Sequence, residues 1–257
     1  MSLKTAIAWT DHTFNIAWGC EKVSPGCKNC YADTLSSRYG HNVWGKNNPR
    51  RTFGAKHWAE PLAWEKLARL PAIGSAQAGP HKVFSSSMCD IFEDHATIAR
   101  ERERLWPLIR QTPNLYWQLL TKRAERIAAN LPADWSLQNY PNVWLGVSIE
   151  NSDYAWRADH LRDIEAAVRF ISYEPALGDL NGMDLRGIDW VIFGGESGPG
   201  YRAPEGWQTW ARELRARCHT AGTAFFFKQS PAHRTELGTQ LDGETVRKFP
   251  TPRSGHG

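Results

Sequence analysis

The sequence has no apolar run of the roughly 18–20 residues that a membrane-spanning helix requires. It also lacks internal repeats and low-complexity tracts, and its 41% hydrophobic and 23% charged residues argue against a disordered chain. The N-terminal segment contains one Lys and only a short apolar patch, which is not typical of a signal peptide. We therefore expect a globular cytoplasmic protein with no membrane partner.

The excess of positive charge is small. The chain has 31 Lys and Arg against 27 Asp and Glu, a formal net charge of +4. This balance permits a nucleic-acid partner without requiring one, because nucleic-acid-binding proteins concentrate basic charge on one face. Thirteen Trp are many for 257 residues. Their large apolar area predicts core or pocket positions, with base stacking as the alternative.

Short runs rich in aromatic and β-branched residues alternate with helical segments along the chain. This order predicts parallel strands joined by right-handed crossovers, in an α/β fold. About seven such units predict a parallel β/α barrel or partial, TIM-like barrel, with a doubly wound open sheet as the alternative. We expect one domain over residues 1–250, which contains a small-residue loop from Pro71 to Pro80, and a flexible tail over 251–257.

The predicted elements are bounded by turn and cap residues. The first strand is expected near Ala6–Trp9 or Phe14–Trp18. The other predicted strands are Lys82–Ser86, Leu115–Leu120, Val143–Ile149, Arg169–Tyr173, Trp190–Phe193 and Ala224–Phe227. The predicted helices are Glu60–Leu70, His95–Gln111, Lys122–Asn130, Asp153–Ala167 and Pro204–Ala221.

Polar residues of both signs follow the predicted strands. In a β/α barrel the active site lies at these C-terminal strand ends, so several of the residues are expected to line one cleft. The mixture of charges suits a zwitterionic or phosphorylated ligand, although capping and turns account for some of the polar residues. The candidate cofactor-binding residues are Asp90, Ser148, Glu150, Glu174, Gly194, Gly195, Glu196 and Lys228.

The chain has only five cysteines, and an odd number argues against a disulfide framework. Three of them, Cys20, Cys27 and Cys30, lie within eleven residues in a C-x6-C-x2-C pattern. The two-residue gap allows Cys27 and Cys30 to face one metal centre. We therefore predict that the loop over residues 20–30 binds a metal through these three thiolates.

Two kinds of metal centre are compatible with this loop. Structural zinc requires four protein ligands, and the fourth could be His12, Cys89 or Cys218. A [4Fe–4S] cluster held by three cysteines leaves one iron open to a substrate or cofactor. We favour the cluster, because a zinc site would leave the polar strand ends unexplained.

Seven stretches resemble a family of phage and prophage proteins of uncharacterised function whose hallmark is this three-cysteine motif. They are NIAWGCEKVSPGCKNCYA, SMCDIF, LLTKRAERI, WLGVSIEN, RFISYEPALG, DWVIFGGESGPGYR and FFFKQ. The match extends from about Thr10 to Leu241. That family is itself similar to the radical S-adenosylmethionine (SAM) enzymes.

The resemblance implies that Cys20, Cys27 and Cys30 hold a [4Fe–4S] cluster whose open iron binds the amino and carboxylate groups of SAM. In radical SAM enzymes an electron from the cluster cleaves SAM, and the resulting 5′-deoxyadenosyl radical abstracts a substrate hydrogen. Three features depart from the usual pattern. The first cysteine gap is six residues instead of three. Asn29 stands before the last cysteine, where an aromatic residue is common. The Gly194-Gly195-Glu196 segment follows a much later strand than the usual second one.

These inferences give one leading hypothesis and two alternatives. The leading hypothesis is an iron–sulfur, SAM-dependent radical enzyme that uses an electron donor and acts on an unknown substrate, with a nucleic-acid base or nucleotide as one candidate. The first alternative is a non-catalytic, metal-stabilised nucleic-acid-binding phage protein. The second is a zinc enzyme.

Overall fold

Seven parallel strands form one sheet, and their order in the sheet is their order along the chain. The computed structural model describes residues 5–70, 79–180 and 182–253. The strands are β1 His12–Phe14, β2 His81–Ser85, β3 Leu115–Thr121, β4 Val143–Ser148, β5 Val168–Tyr173, β6 Trp190–Gly194 and β7 Ala224–Gln229. Because every crossover moves one strand in the same direction, the sheet curls into a half-barrel.

The strand order decides between the two predicted architectures. A doubly wound sheet reverses its strand order at a switch point, and this sheet has no reversal across the described strands. The mixed α/β class, the single domain and the partial barrel are therefore confirmed. A closed eight-stranded TIM barrel is not seen, since the seven described strands leave β1 and β7 at the edges of the sheet.

The predicted strands β2 to β7 agree with the structure within two residues at each end. The first strand differs, because β1 follows the stretch Ala6–Trp9 and shares only Phe14 with the stretch Phe14–Trp18. Two hydrogen bonds explain this difference. The Thr10 amide donates to the carbonyl of Ile7 in a turn, and the Asp11 amide then donates to the carbonyl of Lys82, so pairing with β2 begins only after the turn.

Six α-helices lie within the residues that the structure describes. They are α1 Tyr31–Arg38, α2 Ala55–Trp58, α3 Glu60–Ala68, α4 Ala96–Gln111, α5 Arg157–Arg162 and α6 Trp207–Ala221. The predictions for α3, α4 and α6 are confirmed in type, whereas α1 and α2 were not predicted. None of the helices within the described ranges is both long and apolar enough to cross a membrane.

Two of the predicted helices are wrong in extent or type. The segment Lys122–Asn130 forms two 3₁₀ turns, because the Arg123 amide donates to the Thr121 hydroxyl and the Arg126 side chain reaches the carbonyl of Phe92. The helix predicted over Asp153–Ala167 is limited to α5. Residues 71–78 of the predicted Pro71–Pro80 loop lie outside the described residues.

The predicted flexible tail falls only partly within the described residues, which end at Arg253. The Arg253 amide donates to the carbonyl of Ala167, and the Arg253 side chain forms an ion pair with Asp189 at 2.7 Å. These contacts attach the start of the tail to the sheet.

Side chains of each strand alternate between two cores, as the two-residue period of a strand requires. One core fills the concave side of the half-barrel with six aromatic rings, and the other lies between the convex side and the helices. The concave rings belong to Trp9, Phe84, Trp144, Phe170, Trp190 and Phe226. This aromatic layer closes the interior below the C-terminal strand ends.

Gly146 in β4 makes room for one of these rings. It is paired with Phe170 of β5, and a Cβ at position 146 would lie 2.3 Å from the Phe170 ring. We predict that Gly146→Ala lowers the free energy of unfolding by about 2 kcal/mol, because overpacking displaces the buried ring. Urea unfolding measures the change. Gly54→Ala is the matched control, since nothing lies within 4 Å of its Cβ position, and an equal loss in both variants would contradict this packing role.

Candidate functional site

A cavity of about 500 Å³ opens at the C-terminal ends of the strands. This volume falls within the range of small-molecule binding sites. Trp9 and Phe84 of the aromatic layer form part of its apolar wall, and the cysteine loop, residues 20–30, lies across it. Both predicted parts of the site therefore meet in one place.

Six of the eight candidate cofactor-binding residues line this cavity. They are Asp90, Ser148, Glu174, Gly195, Glu196 and Lys228. The strand period explains part of the set. Ser148 and Lys228 follow the concave residues Gly146 and Phe226 by two positions, so they point to the same side one layer higher.

Gly194 and Glu150 are not part of the cavity lining. Gly194 and Gly195 are both candidate cofactor-binding residues, but their close neighbours are protein atoms. A Cβ on Gly194 would lie 2.3 Å from the Glu174 carboxylate, and one on Gly195 would lie 2.1 Å from the nitrogen of Pro231. The two glycines therefore allow the chain to pack tightly against itself.

All three cysteines of the predicted metal motif line the cavity. Pro25–Cys27 form a 3₁₀ turn, and Cys30 is the N-cap residue of α1. Over the described residues, no group of three or more His, Cys, Asp or Glu side chains is already arranged as a metal site. The fold thus brings the thiols to one cavity without a preassembled ligand set.

The environment of two thiols opposes their ionisation. Burial, and then the carboxylate of Asp90, raise the pKa of Cys20, whereas Arg123 lowers it. Burial also raises the pKa of Cys30, against the opposing effect of the Asp33 and Ala32 amides. A bound cation would supply the positive charge that these buried thiolates need, because metal binding and thiol deprotonation are coupled.

The first end of the cysteine loop is held by Glu93, which is 2% exposed. The Glu21 amide donates to the Glu93 carboxylate at 2.7 Å. Arg50 neutralises that carboxylate through two hydrogen bonds of 2.8 and 2.9 Å. Arg123 donates to the carbonyl of Glu21 at 2.9 Å and approaches the Cys20 sulfur at 3.7 Å. One buried ion pair and a second arginine therefore position Cys20.

The middle of the loop is held by Glu150, whose side chain is fully buried. The Ser24 hydroxyl donates to the carboxylate at 2.6 Å, and Lys122 and Arg157 form ion pairs with it at 2.8 and 2.9 Å. Burial raises the pKa of Glu150, but Lys122, Ser24 and Arg157 outweigh it and lower the pKa below its ordinary 4.5. Glu150 is therefore a buried support of the loop beneath the cavity wall.

The last part of the loop is held by Glu196. Its carboxylate accepts from the side chain of Asn29 at 3.0 Å, from the amide and Nε of Arg202 at 2.8 Å each, and from Arg202 Nη2. Arg202 also donates to the carbonyl of Pro25 at 3.0 Å. Burial raises the pKa of Glu196, yet the bonds from Arg202 and Asn29 hold it below its ordinary value.

The remaining charged candidates pair within the cavity wall. Lys228 and Glu174 form an ion pair at 2.8 Å, and the Ser172 hydroxyl donates to Glu174 at 3.1 Å. Asp90 forms an ion pair with Arg123 at 3.0 Å and accepts from the Thr121 hydroxyl. Each charge thus already has a counter-charge before any ligand is considered.

Of the three possible fourth zinc ligands, only Cys89 lines the cavity. His12 is 6% exposed and stacks on Trp64 with ring centroids 4.5 Å apart. Cys218 is buried in the convex core. The structure therefore places His12 and Cys218 away from the cysteine loop.

Sequence reasoning missed the residues that hold the loop, namely Arg50, Glu93, Asn29 and Arg202. Their partners are far away along the chain; Asn29 and Glu196 are 167 positions apart. Arg202 alone had a local signal, because it lies six residues after Glu196 beyond a Gly-rich turn. Spacing identified the thiols but not the groups that position them.

We predict that Glu150→Gln lowers the free energy of unfolding by about 3 kcal/mol, because Lys122 and Arg157 lose their buried counter-charge. The folded-state pKa of Glu150 lies below 4.5, so the contribution is fully present above that pH and is lost as pH falls through the folded-state pKa. Urea unfolding of wild type and variant should therefore differ at pH 7 and converge in acid.

Glu103→Gln is the control, since Glu103 is an exposed residue of α4. It should change the unfolding free energy by less than about 0.5 kcal/mol. A difference between wild type and Glu150→Gln that stays constant down to the lowest pH would contradict the ionised role of Glu150.

The comparisons with known proteins bear on the whole chain. A search of curated proteins and of solved structures finds no significant match. One family model, described as "Protein of unknown function (DUF5131)", matches residues 4–250. Because this match spans the sheet, the cysteine loop and the cavity, the chain belongs to the DUF5131 family.

Proposed function

We propose that the protein is a cytoplasmic iron–sulfur protein that binds a [4Fe–4S] cluster through Cys20, Cys27 and Cys30, and that it is a SAM-dependent radical enzyme of phage type. The observation that carries the proposal is the shared cavity. Three cysteines of one short loop line the same 500 Å³ space as acidic, basic and hydroxyl side chains from six strand ends.

The donor set fits a three-cysteine cluster better than a structural zinc ion. Zinc needs a fourth protein ligand, and two of the three sequence candidates lie away from the loop. A cluster held by three cysteines keeps one iron open, and the cavity beside the loop provides space for a ligand there. When bound, such a cluster supplies an electron for reductive cleavage of SAM.

The protein's own side chains would bind and orient SAM in the cavity. Trp9 and Phe84 offer apolar surface for an adenine ring. Ser148 and Ser172 offer hydroxyl groups, and the Glu174–Lys228 pair offers one group of each sign for a zwitterion. Glu196 is a weaker candidate for the SAM amino group, since its carboxylate already accepts bonds from Arg202 and Asn29.

A second function is favoured by the paired charges. Glu93, Glu150 and Glu196 all accept hydrogen bonds from the cysteine loop, an arrangement that a purely structural metal loop would also use. The alternative is therefore a non-catalytic, metal-stabilised nucleic-acid-binding protein. The two proposals differ in whether SAM binds to the metal-loaded protein.

The metal proposal is tested by measuring the iron, sulfide and zinc content of the purified protein. Protein purified without oxygen should be brown and contain about four iron and four sulfide per chain. Replacing Cys20, Cys27 or Cys30 by Ala should abolish cluster retention, because each supplies one thiolate. Cys218→Ala, a substitution in the convex core, should retain the iron. Colourless wild-type protein with one zinc per chain would contradict the cluster.

The SAM proposal is tested on the reduced, cluster-loaded protein. SAM should change the electron paramagnetic resonance spectrum of the cluster, because its amino and carboxylate groups would bind the open iron. Glu174→Gln should weaken SAM binding by about tenfold, since a hydrogen bond to a charged group contributes roughly 1.5–3 kcal/mol. Equilibrium dialysis measures the affinity, and iron content checks that the cluster is retained.

Asp242→Asn removes an exposed carboxylate that pairs with Arg212 outside the cavity, and it should leave SAM affinity unchanged. A spectrum that SAM does not alter would exclude the SAM-dependent function and favour the non-catalytic alternative. Unchanged affinity in Glu174→Gln alone would remove only that residue from the site.

A further inference from the structure

The stretch of chain from the middle of α1 to the residue before α3 is strongly basic. Residues 34–59 contain five Lys and Arg and no Asp or Glu, a net charge of +5. The whole chain carries +4, so all the other residues together carry −1. Residues 34–59 are therefore a strongly basic, acid-free segment of a nearly neutral protein.

Two other groups of basic residues, one within Lys122–Arg126 and one within Arg212–Arg215, are neutralised by acidic partners. Their ion pairs are Lys122–Glu150, Arg123–Asp90, Arg126–Asp94, Arg212–Asp242 and Arg215–Glu244. Of the five cations in the basic segment, only Arg50 is buried, and it forms an ion pair with Glu93. Arg38, Lys46, Arg51 and Lys56 are exposed, and none of them forms an ion pair with another residue in the described part of the chain.

Aromatic rings lie beside Arg51, one of these exposed cations. Trp18 contacts Tyr39 and Phe53, with ring centroids 6.1 and 6.3 Å apart. The Arg51 guanidinium lies 5.1 Å from the Trp18 ring centre and 5.0 Å from that of Phe53. Tyr39 is 63% exposed, so its ring is open to solvent. We call Trp18, Tyr39, Arg51 and Phe53 the aromatic–basic surface.

This surface adjoins the cysteine loop. Trp18 precedes Cys20 by two residues, and the Gly45 amide donates to the carbonyl of Cys20 at 3.0 Å. Trp44, in the same basic segment, lines the cavity. A polymer bound along the aromatic–basic surface would therefore reach the mouth of the cavity.

We propose that the aromatic–basic surface binds single-stranded nucleic acid. The exposed Tyr39 ring, beside the half-buried Trp18 and Phe53, would stack on an unpaired base, and the unpaired Lys and Arg would contact the neighbouring phosphates. A duplex hides its base faces, so it could use only the cations. The choice of nucleic acid as the partner rests on the proposed function. The aromatic–basic surface itself includes none of the three cysteines, so it does not depend on the metal.

Binding should be measured by fluorescence anisotropy with labelled oligo(U) and oligo(dT) of about 15 nucleotides, a length that covers one site of this kind. The full chain is used as purified without oxygen. Tyr39→Ala should weaken binding about tenfold, because one base loses its stacking partner. Tyr39→Phe keeps the ring and should bind like wild type. The two oligonucleotides show whether the surface distinguishes RNA from DNA, since they differ in the 2′-hydroxyl and in the base methyl group.

The electrostatic part is tested by salt dependence. Arg51→Ala should weaken binding and lower the slope of log affinity against log salt by about 0.7, the value for one phosphate contact on a single strand. Arg186→Ala is the matched control, since its side chain is 91% exposed in the segment before β6. It should change neither the affinity nor the slope.

Three results would overturn the proposal. They are equal affinity of Tyr39→Ala and wild type, stronger binding to a blunt duplex than to the single strand, and competition by inorganic polyphosphate as effective as that by oligo(U). Iron content measured on the same preparations separates the two proposals. Nucleic-acid binding without iron would support this inference and contradict the cluster. Iron without nucleic-acid binding would support the cluster and contradict this inference.

Discussion

Three buried carboxylates hold the cysteine loop against the strand ends, and the rest of the site depends on them. Glu93, Glu150 and Glu196 are each at most 5% exposed. A buried charge is costly unless it is paired and hydrogen-bonded, so each of the three has an arginine or lysine partner. The remaining lone pairs of the carboxylate oxygens accept hydrogen bonds from the cysteine loop. The loop conformation is therefore coupled to ion pairs that the sheet positions.

This coupling explains the composition of the cavity. The polar side chains are largely paired with one another, and the wall below them is aromatic because concave positions alternate along the strands. Such a cavity offers a ligand apolar contact first and a few oriented polar groups second, as small-molecule sites do. The half-barrel also leaves its two edge strands unpaired with each other, and the chain near Arg247 covers the edge at Phe226.

The aromatic–basic surface differs from the cavity in its electrostatics. In the cavity every charged candidate has a partner, so its net field is small. In residues 34–59 the exposed cations have no acidic partners among the described residues, so their electric field extends into solvent. The cavity, whose charges are paired, and the exposed aromatic–basic surface therefore lie only a few residues apart along the chain.

The sequence by itself determined the strands β2 to β7, their parallel arrangement and the motif of three closely spaced cysteines. Buried parallel strands read as continuous apolar runs, and the polar residues after Phe84, Phe170 and Phe226 follow at fixed spacing. Only the tertiary structure decided which of those polar residues face the cavity. Glu150 and Glu174 each follow a buried strand in the sequence. Ser24 and Arg157 bind the Glu150 carboxylate away from the cavity, whereas Lys228 holds Glu174 in the cavity wall. Long-range ion pairs make that choice, and no local pattern encodes which distant residues will meet.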